Sequence, residues 1–149
     1  MASFPQKLNT WHHLMRKFSK FDNTSVLMYI FCVYSLIYYS TERGDQPVLE
    51  FLDNMDKKSR AKVMAHIDLL AQYGPDLKRP YADHVRGKIR ELRVQMGSKK
   101  YRILHFFFLE GRIVLLHALL KTTPKLKESD ITLAESRMAD WIARHPRGG

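Results

Sequence analysis

Apolar positions along this chain change period several times, and each change marks an element. Residues 26–39 are apolar except for Ser35. A spanning helix needs about 20 such residues, and the 38–43 stretch does not offer small residues at the spacing of a signal-peptide cleavage site. Because the run is rich in Val, Ile, Tyr and Phe, a strand is predicted over 33–41. After the turn at Gly44 and Asp45, Pro47 suits a first helical turn; Val48, Phe51, Leu52 and Met55 follow at helical spacing. A second helix is predicted over 57–73. Val63, Ile67 and Leu70 lie on one face, Lys58, Lys62 and Asp68 lie off it, and Gly74-Pro75 ends it. A polar loop through Pro80 then leads to Gly87.

Three strand patterns follow. Residues 88–96 alternate, with Leu92, Val94 and Met96 on one side and Glu91, Arg93 and Gln95 on the other. After a turn at 97–100, residues 101–109 are apolar almost throughout, as in a central strand. A short loop at Glu110-Gly111 leads to a strand over 112–120. A basic loop surrounds Pro124, and a last helix over 129–143 carries Ile131, Ala134, Met138, Trp141 and Ile142 on one stripe. The order predicts an α+β fold, a small antiparallel-meander sheet with two N-terminal helices packed on it and a C-terminal helix. Residues 33–145 are expected to form the domain, 1–32 an N-terminal extension, and 146–149 a frayed tail. Met28 is a plausible natural start, and residues 1–24 are expected to be dispensable.

Charge narrows the function. The 149 residues hold 25 Lys and Arg against 15 Asp and Glu, a formal charge of +10. General solubility is one explanation; the other is a polyanionic partner, whether nucleic acid, an anionic membrane surface or an acidic protein. A 45% hydrophobic content excludes a disordered chain. One cysteine, Cys32, rules out an internal disulfide and a Cys-rich zinc site, so a reducing cytoplasm is the expected compartment.

The positive charge concentrates between residues 78 and 102, where Lys78, Arg79, Arg86, Lys88, Arg90, Arg93, Lys99, Lys100 and Arg102 face only Asp83 and Glu91. Tyr81 and Tyr101 are interleaved, and unpaired bases stack on such rings while phosphates bind the cations. Ordinary surface decoration remains the alternative. Arg93 is mid-strand on the polar side, so it needs a ligand or a carboxylate, and Glu91 is the nearest candidate. Tyr101 opens the central strand beside the Lys99-Lys100 turn, as either a site residue or an amphipathic edge tyrosine. His105 and His117 sit in apolar strands, where a histidine is more often structural than catalytic. His117 and Lys121 share strand parity, with Cα atoms about 13 Å apart. There is no Gly-rich phosphate loop, no HExxH, no nucleophile elbow and no carboxylate cluster for a metal. An enzyme built on this chain would work with Arg, Lys, Tyr or His, and no cofactor or metal is expected.

An ordered set of segments resembles the RelE/ParE superfamily of type II toxin–antitoxin toxins, closest to its HigB-like, phage-derived branch. The segments are Tyr38-Tyr39-Ser40, Pro47-Val48-Leu49-Glu50-Phe51-Leu52, Gly87-Lys88-Ile89-Arg90-Glu91-Leu92-Arg93, and Gly97 through Tyr101-Arg102-Ile103-Leu104. Gly111-Arg112-Ile113-Val114-Leu115-Leu116-His117, Lys121-Thr122, and Ala134 with Arg137 complete it. The resemblance implies a sheet with helices on one face, and a metal-independent endoribonuclease acting on mRNA in the translating ribosome. It also implies a cognate antitoxin, commonly a helix-turn-helix DNA-binding protein, in a toxin–antitoxin hetero-oligomer without a membrane. Arg93, Lys121, Tyr101 and His117 take the catalytic positions it implies, and Lys88, Arg90, Lys99, Lys100 and Arg102 the RNA-binding ones. Two departures bear on activity: one lysine and Thr122 stand where the branch carries two lysines, and His105 where many relatives carry Tyr. A ParE-like gyrase poison, a non-catalytic antitoxin-binding member and a membrane-attached protein are the competing readings.

Overall fold

Why the apolar periods close into one domain is visible in a computed structural model, which describes residues 34–146. Strand β1 (Ser35–Tyr38) leads into helices α1 (Pro47–Asp53) and α2 (Lys57–Tyr73). Strands β2 (Ala82–Arg86), β3 (Ile89–Met96), β4 (Lys99–Phe108) and β5 (Arg112–Leu120) follow, and helix α3 (Glu128–Arg144) closes the chain. The proposed extension, Cys32 and the Met28 start lie outside the described residues, as does the tail beyond 146. Among the described residues no helix is long and apolar enough to cross a membrane.

The helices form where their ends are satisfied. Pro47 opens α1, and the Asp56 carboxylate caps α2 by accepting the Ser59 N–H at 3.0 Å. Gly74 ends α2 at φ +53°, and a Cβ there would run into the Tyr34 ring. Only glycine meets both demands.

The five strands form one sheet in the order β1-β5-β4-β3-β2, which corrects the predicted meander in two ways. First, β1 pairs parallel with β5, from Ser35 opposite Arg112 to Tyr38 opposite Leu115, so the sheet is mixed. The pairing spans four positions and then the chain turns through Thr41 to Asp45, which is why β1 is shorter than its apolar run. Second, β2 occupies a segment expected to be a polar loop. Its Asp83 and His84 have little strand preference, but pairing with β3 places Ala82 opposite Leu92 and buries it.

Both sheet faces are covered, another departure from helices on one face. Val48 and Leu52 of α1 and Val63, Ile67 and Leu70 of α2 pack on Leu92, Val94, Ile103, Ile113 and Leu115. On the opposite face Ala134 and Trp141 of α3 pack on Leu104, Phe106, Val114 and Leu116. At about 25 cal/mol per Å² of apolar surface, each layer is a substantial part of the core. A β5 bulge at Leu116 brings Leu104 opposite His117 and His105 opposite Leu115. It turns Leu116 and His117 toward the same, α3-bearing face.

Candidate functional site

Strand pairing places the basic residues in rows across the sheet. Arg93 of β3 lies opposite Arg102 of β4, and Arg102 lies opposite Leu119 of β5. The next row toward α3 holds Asp83, Glu91, Leu104 and His117. Side chains directly opposite one another share a face, so a row with two guanidiniums abuts a row with two carboxylates. This corner lies past the apolar patch that α3 covers. Lys121 joins it just beyond β5, its N–H donating to the Lys100 carbonyl at 2.7 Å.

Glu91 organises the corner. Its Oε2 lies 3.3 Å from Arg102 Nε and its Oε1 3.6 Å from Arg93 Nε. Glu91 is 8% exposed and Arg102 4%, whereas the Arg93 side chain is 32% exposed. Arg102 also donates through a terminal nitrogen to the Tyr101 carbonyl at 2.9 Å. Asp83 accepts from Arg79 Nε at 2.7 Å and lies 4.0 Å from Arg93. The Arg79 hydrogen bond holds the Asp83 carboxyl below its ordinary pKa. Burial, reinforced by Arg102 and opposed by Glu91, lowers the pKa of Lys121. One partly exposed arginine is thus presented over a buried one, with a carboxylate paired to both and Lys121 close enough to feel their charge.

Residues 50–139 match the family model described as Phage derived protein Gp49-like, more than half of the chain. The chain belongs to the Gp49-like family. This family is associated with RelE/HigB-like toxins of toxin–antitoxin systems, so the match agrees with a toxin of that general class and with an antitoxin partner. No curated protein matches the chain. The Gp49-like region runs from α1 into α3 and contains the whole cationic corner; β1 lies outside it.

Within this Gp49-like domain the other candidate residues separate. Lys99 and Lys100 are exposed at the start of β4 beside the corner, next to Arg102 and Lys121. Lys88 is exposed at the opposite end of β3, about 16 Å from Arg93 along the strand. Arg90 points to the α2 face, within 3.4 Å of the Pro75 carbonyl and 5.5 Å from the Phe107 ring centre. Tyr101 also faces that side, 5% exposed and edge-on to Phe51, with the sheet between it and the Arg93 side chain. His117 faces the α3 side, but both its ring nitrogens are engaged. Nε2 lies 2.8 Å from Asp130 Oδ1 and Nδ1 3.4 Å from Arg137, which also donates to the Leu116 carbonyl at 2.9 Å. With Nε2 toward Asp130 and Nδ1 toward Arg137, His117 ties β5 to α3. His105 is fully buried, and burial lowers its pKa to about 4.

Two features of the site were outside the reach of one-dimensional patterning. The sequence offered Glu91 as a partner for Arg93 alone; its bridge to Arg102 depends on the β3–β4 register. A cleft of about 380 Å³ beside Arg93 and Arg102 is closed on its far side by Lys62 and His66 of α2. Their four-residue spacing places them together on one helix face, but nothing local says that this face meets β3. Among the described residues no group of three or more His, Cys, Asp or Glu side chains is arranged to hold a metal ion.

Proposed function

We propose that this Gp49-like protein is a HigB-like toxin, an endoribonuclease that cleaves mRNA on the translating ribosome and is neutralised by a cognate antitoxin. The observation supporting this reading is the cationic corner itself. Arg93 is presented at the surface over buried Arg102, Glu91 pairs with both, and Lys121 lies close enough to feel their charge.

The chemistry is internal transesterification. The ribose 2′-oxygen attacks the adjacent phosphorus and loses its proton, while the bond to the leaving 5′-oxygen breaks and that oxygen gains a proton. A 2′,3′-cyclic phosphate and a free 5′-hydroxyl result. Negative charge builds on the phosphoryl oxygens as the reaction proceeds. Arg93 offers a fork of N–H donors to that charge, and buried Arg102 raises the local positive potential. The Lys121 ammonium faces the leaving 5′-oxygen and gives it a proton, while the 2′ proton passes to solvent. Such stabilisation is strongest where water is excluded.

Arg93→Ala should reduce cleavage by on the order of 10²-fold, the scale for losing one transition-state donor. Primer extension on an mRNA in a translation extract, with and without ribosomes, is the assay. Intact transcripts alongside arrested gyrase supercoiling would replace this reading with the gyrase-poison one. Cleavage undiminished in Arg93→Ala would leave the reaction class standing and remove Arg93 from it.

One observation favours a second reading. Tyr101 is buried on the other face and His117 is held between Asp130 and Arg137, so neither is free for acid–base work. A non-catalytic member would bind its antitoxin normally yet leave transcripts intact and supercoiling unaffected.

A further inference from the structure

The cleft beside Arg93 holds an aromatic surface that phosphate chemistry does not use. Tyr81 is 44% exposed, so its ring face is open to a ligand. The His66 ring supports it, centre to centre 5.9 Å at 52°. His66 is in turn fixed to α2, with Nδ1 2.9 Å from the Lys62 carbonyl. The Tyr81 carbonyl accepts the Arg93 N–H at 2.7 Å, so the ring is tied to the strand position that carries the phosphate-binding guanidinium. Lys62, Arg79, Arg93 and Arg102 line the same cleft, with no carboxylate among its lining residues. Asp83 accepts from Arg79 and thereby steadies it at the rim.

A rigid π surface surrounded by cations suits an unpaired base joined to phosphates. Bases stack on tyrosine, and the flanking guanidiniums track the backbone. Its volume of about 380 Å³ is enough for a base and its sugar. We propose that Tyr81, backed by His66, is the stacking platform for the nucleotide adjoining the scissile phosphate, and that this cleft contributes to the choice of cleavage site. The proposal rests on the endoribonuclease reading. Stacking discriminates by size of the π face, so the platform prefers a purine to a pyrimidine at that position.

The test compares wild-type protein with Tyr81→Phe, Tyr81→Trp and Tyr81→Leu by primer extension on one mRNA in a translation extract. Tyr81→Leu should lower the cleavage rate by about 5- to 150-fold, the range for losing one base–aromatic stack. The loss should be greatest where a purine adjoins the cut. Tyr81→Phe and Tyr81→Trp should cleave within about threefold of wild type, a margin well inside that stacking range. Both Leu and Trp change the packing around His66, but only Trp keeps a π face, so the comparison does not depend on stability. Equal rates for Leu and Trp overturn the proposal, as does a Phe variant as impaired as Leu. A Leu variant that loses antitoxin binding but cleaves normally assigns the surface to the antitoxin instead. If the wild-type protein leaves all transcripts intact, the endoribonuclease reading fails first, and the platform with it.

Discussion

Replacing Glu91 by Gln removes one charge from the centre of the cationic corner while keeping the shape of the side chain. Glu91 lies 3.3 Å from a nearly buried Arg102 and 3.6 Å from Arg93. Breaking a buried ion pair from one side costs about 3–5 kcal/mol, mostly because the remaining charge stays buried without compensation. The amide oxygen can still face a guanidinium, and Arg93 is partly solvated, so a loss of about 2–3 kcal/mol is expected. For a domain of this size 1 kcal/mol shifts Tm by roughly 4 °C, which places the variant about 8–12 °C below wild type. Circular dichroism melts and urea titrations at pH 7 measure this. Glu91→Gln combined with Arg102→Leu should recover part of the loss, because the stranded charge goes with its partner. Cleavage by Glu91→Gln, measured at a temperature where it is fully folded, should also fall as Arg93 loses its tether. A Tm within 2 °C of wild type would refute the clamp, since solvent would then be screening the Glu91–Arg102 pair.

Four further outcomes follow from the same geometry. The His105 pKa is lowered to about 4 by burial, so between that value and its ordinary 6.5 the unfolded chain binds the extra proton and stability is lost as pH falls. The loss should reach about 2 kcal/mol by pH 5, and His105→Leu should have a measurably smaller drop in Tm between pH 7 and pH 5; equal drops exclude His105 as the cause. Lys121→Ala should lower cleavage less than Arg93→Ala, because an ammonium makes a point contact and not a fork. A chelator selective for transition metals, which spares the magnesium that ribosomes need, should leave cleavage unchanged, since the proposed steps use only arginine and lysine; loss on chelation and recovery on adding a transition metal would overturn that scheme. Association with an antitoxin that offers carboxylates to this corner should slow markedly between about 0.05 and 0.5 M salt, and a salt-independent association rate in stopped-flow mixing would place the antitoxin elsewhere.

On the proposed reading, an antitoxin and the RNA would compete for the same kind of surface. Both are expected to bring negative charge, RNA through phosphates and an antitoxin through carboxylates. A formal charge of +10 steers either one toward the domain. At the corner, however, the carboxylate of Glu91 already occupies the inner side of both guanidiniums, so a ligand meets chiefly the outer donors of Arg93 and the Lys121 ammonium. Strong binding therefore depends on geometry at those two groups and not on overall charge alone.

The sequence alone determined the elements whose burial is one-sided. Val63, Ile67 and Leu70 recur at helical spacing, and Leu92, Val94 and Met96 alternate, because each element must turn one stripe toward the core. That logic located α1, α2, α3 and β3 and identified Arg93 as a polar-face residue needing a partner. It could not reveal β2, whose Ala-Asp-His-Val-Arg segment is a strand only because β3 offers it an edge. Nor could it reveal that β1 runs parallel to β5, since strand direction depends on how far the intervening chain travels and not on the residues of either strand. Tertiary structure also decided which basic residues meet. Arg93 and Arg102 are nine positions apart yet opposite one another across a hairpin, while Tyr101, adjacent to Arg102, faces the other core. Alternation sends neighbouring side chains to opposite faces. Register across strands, not proximity along the chain, decides which residues share a site.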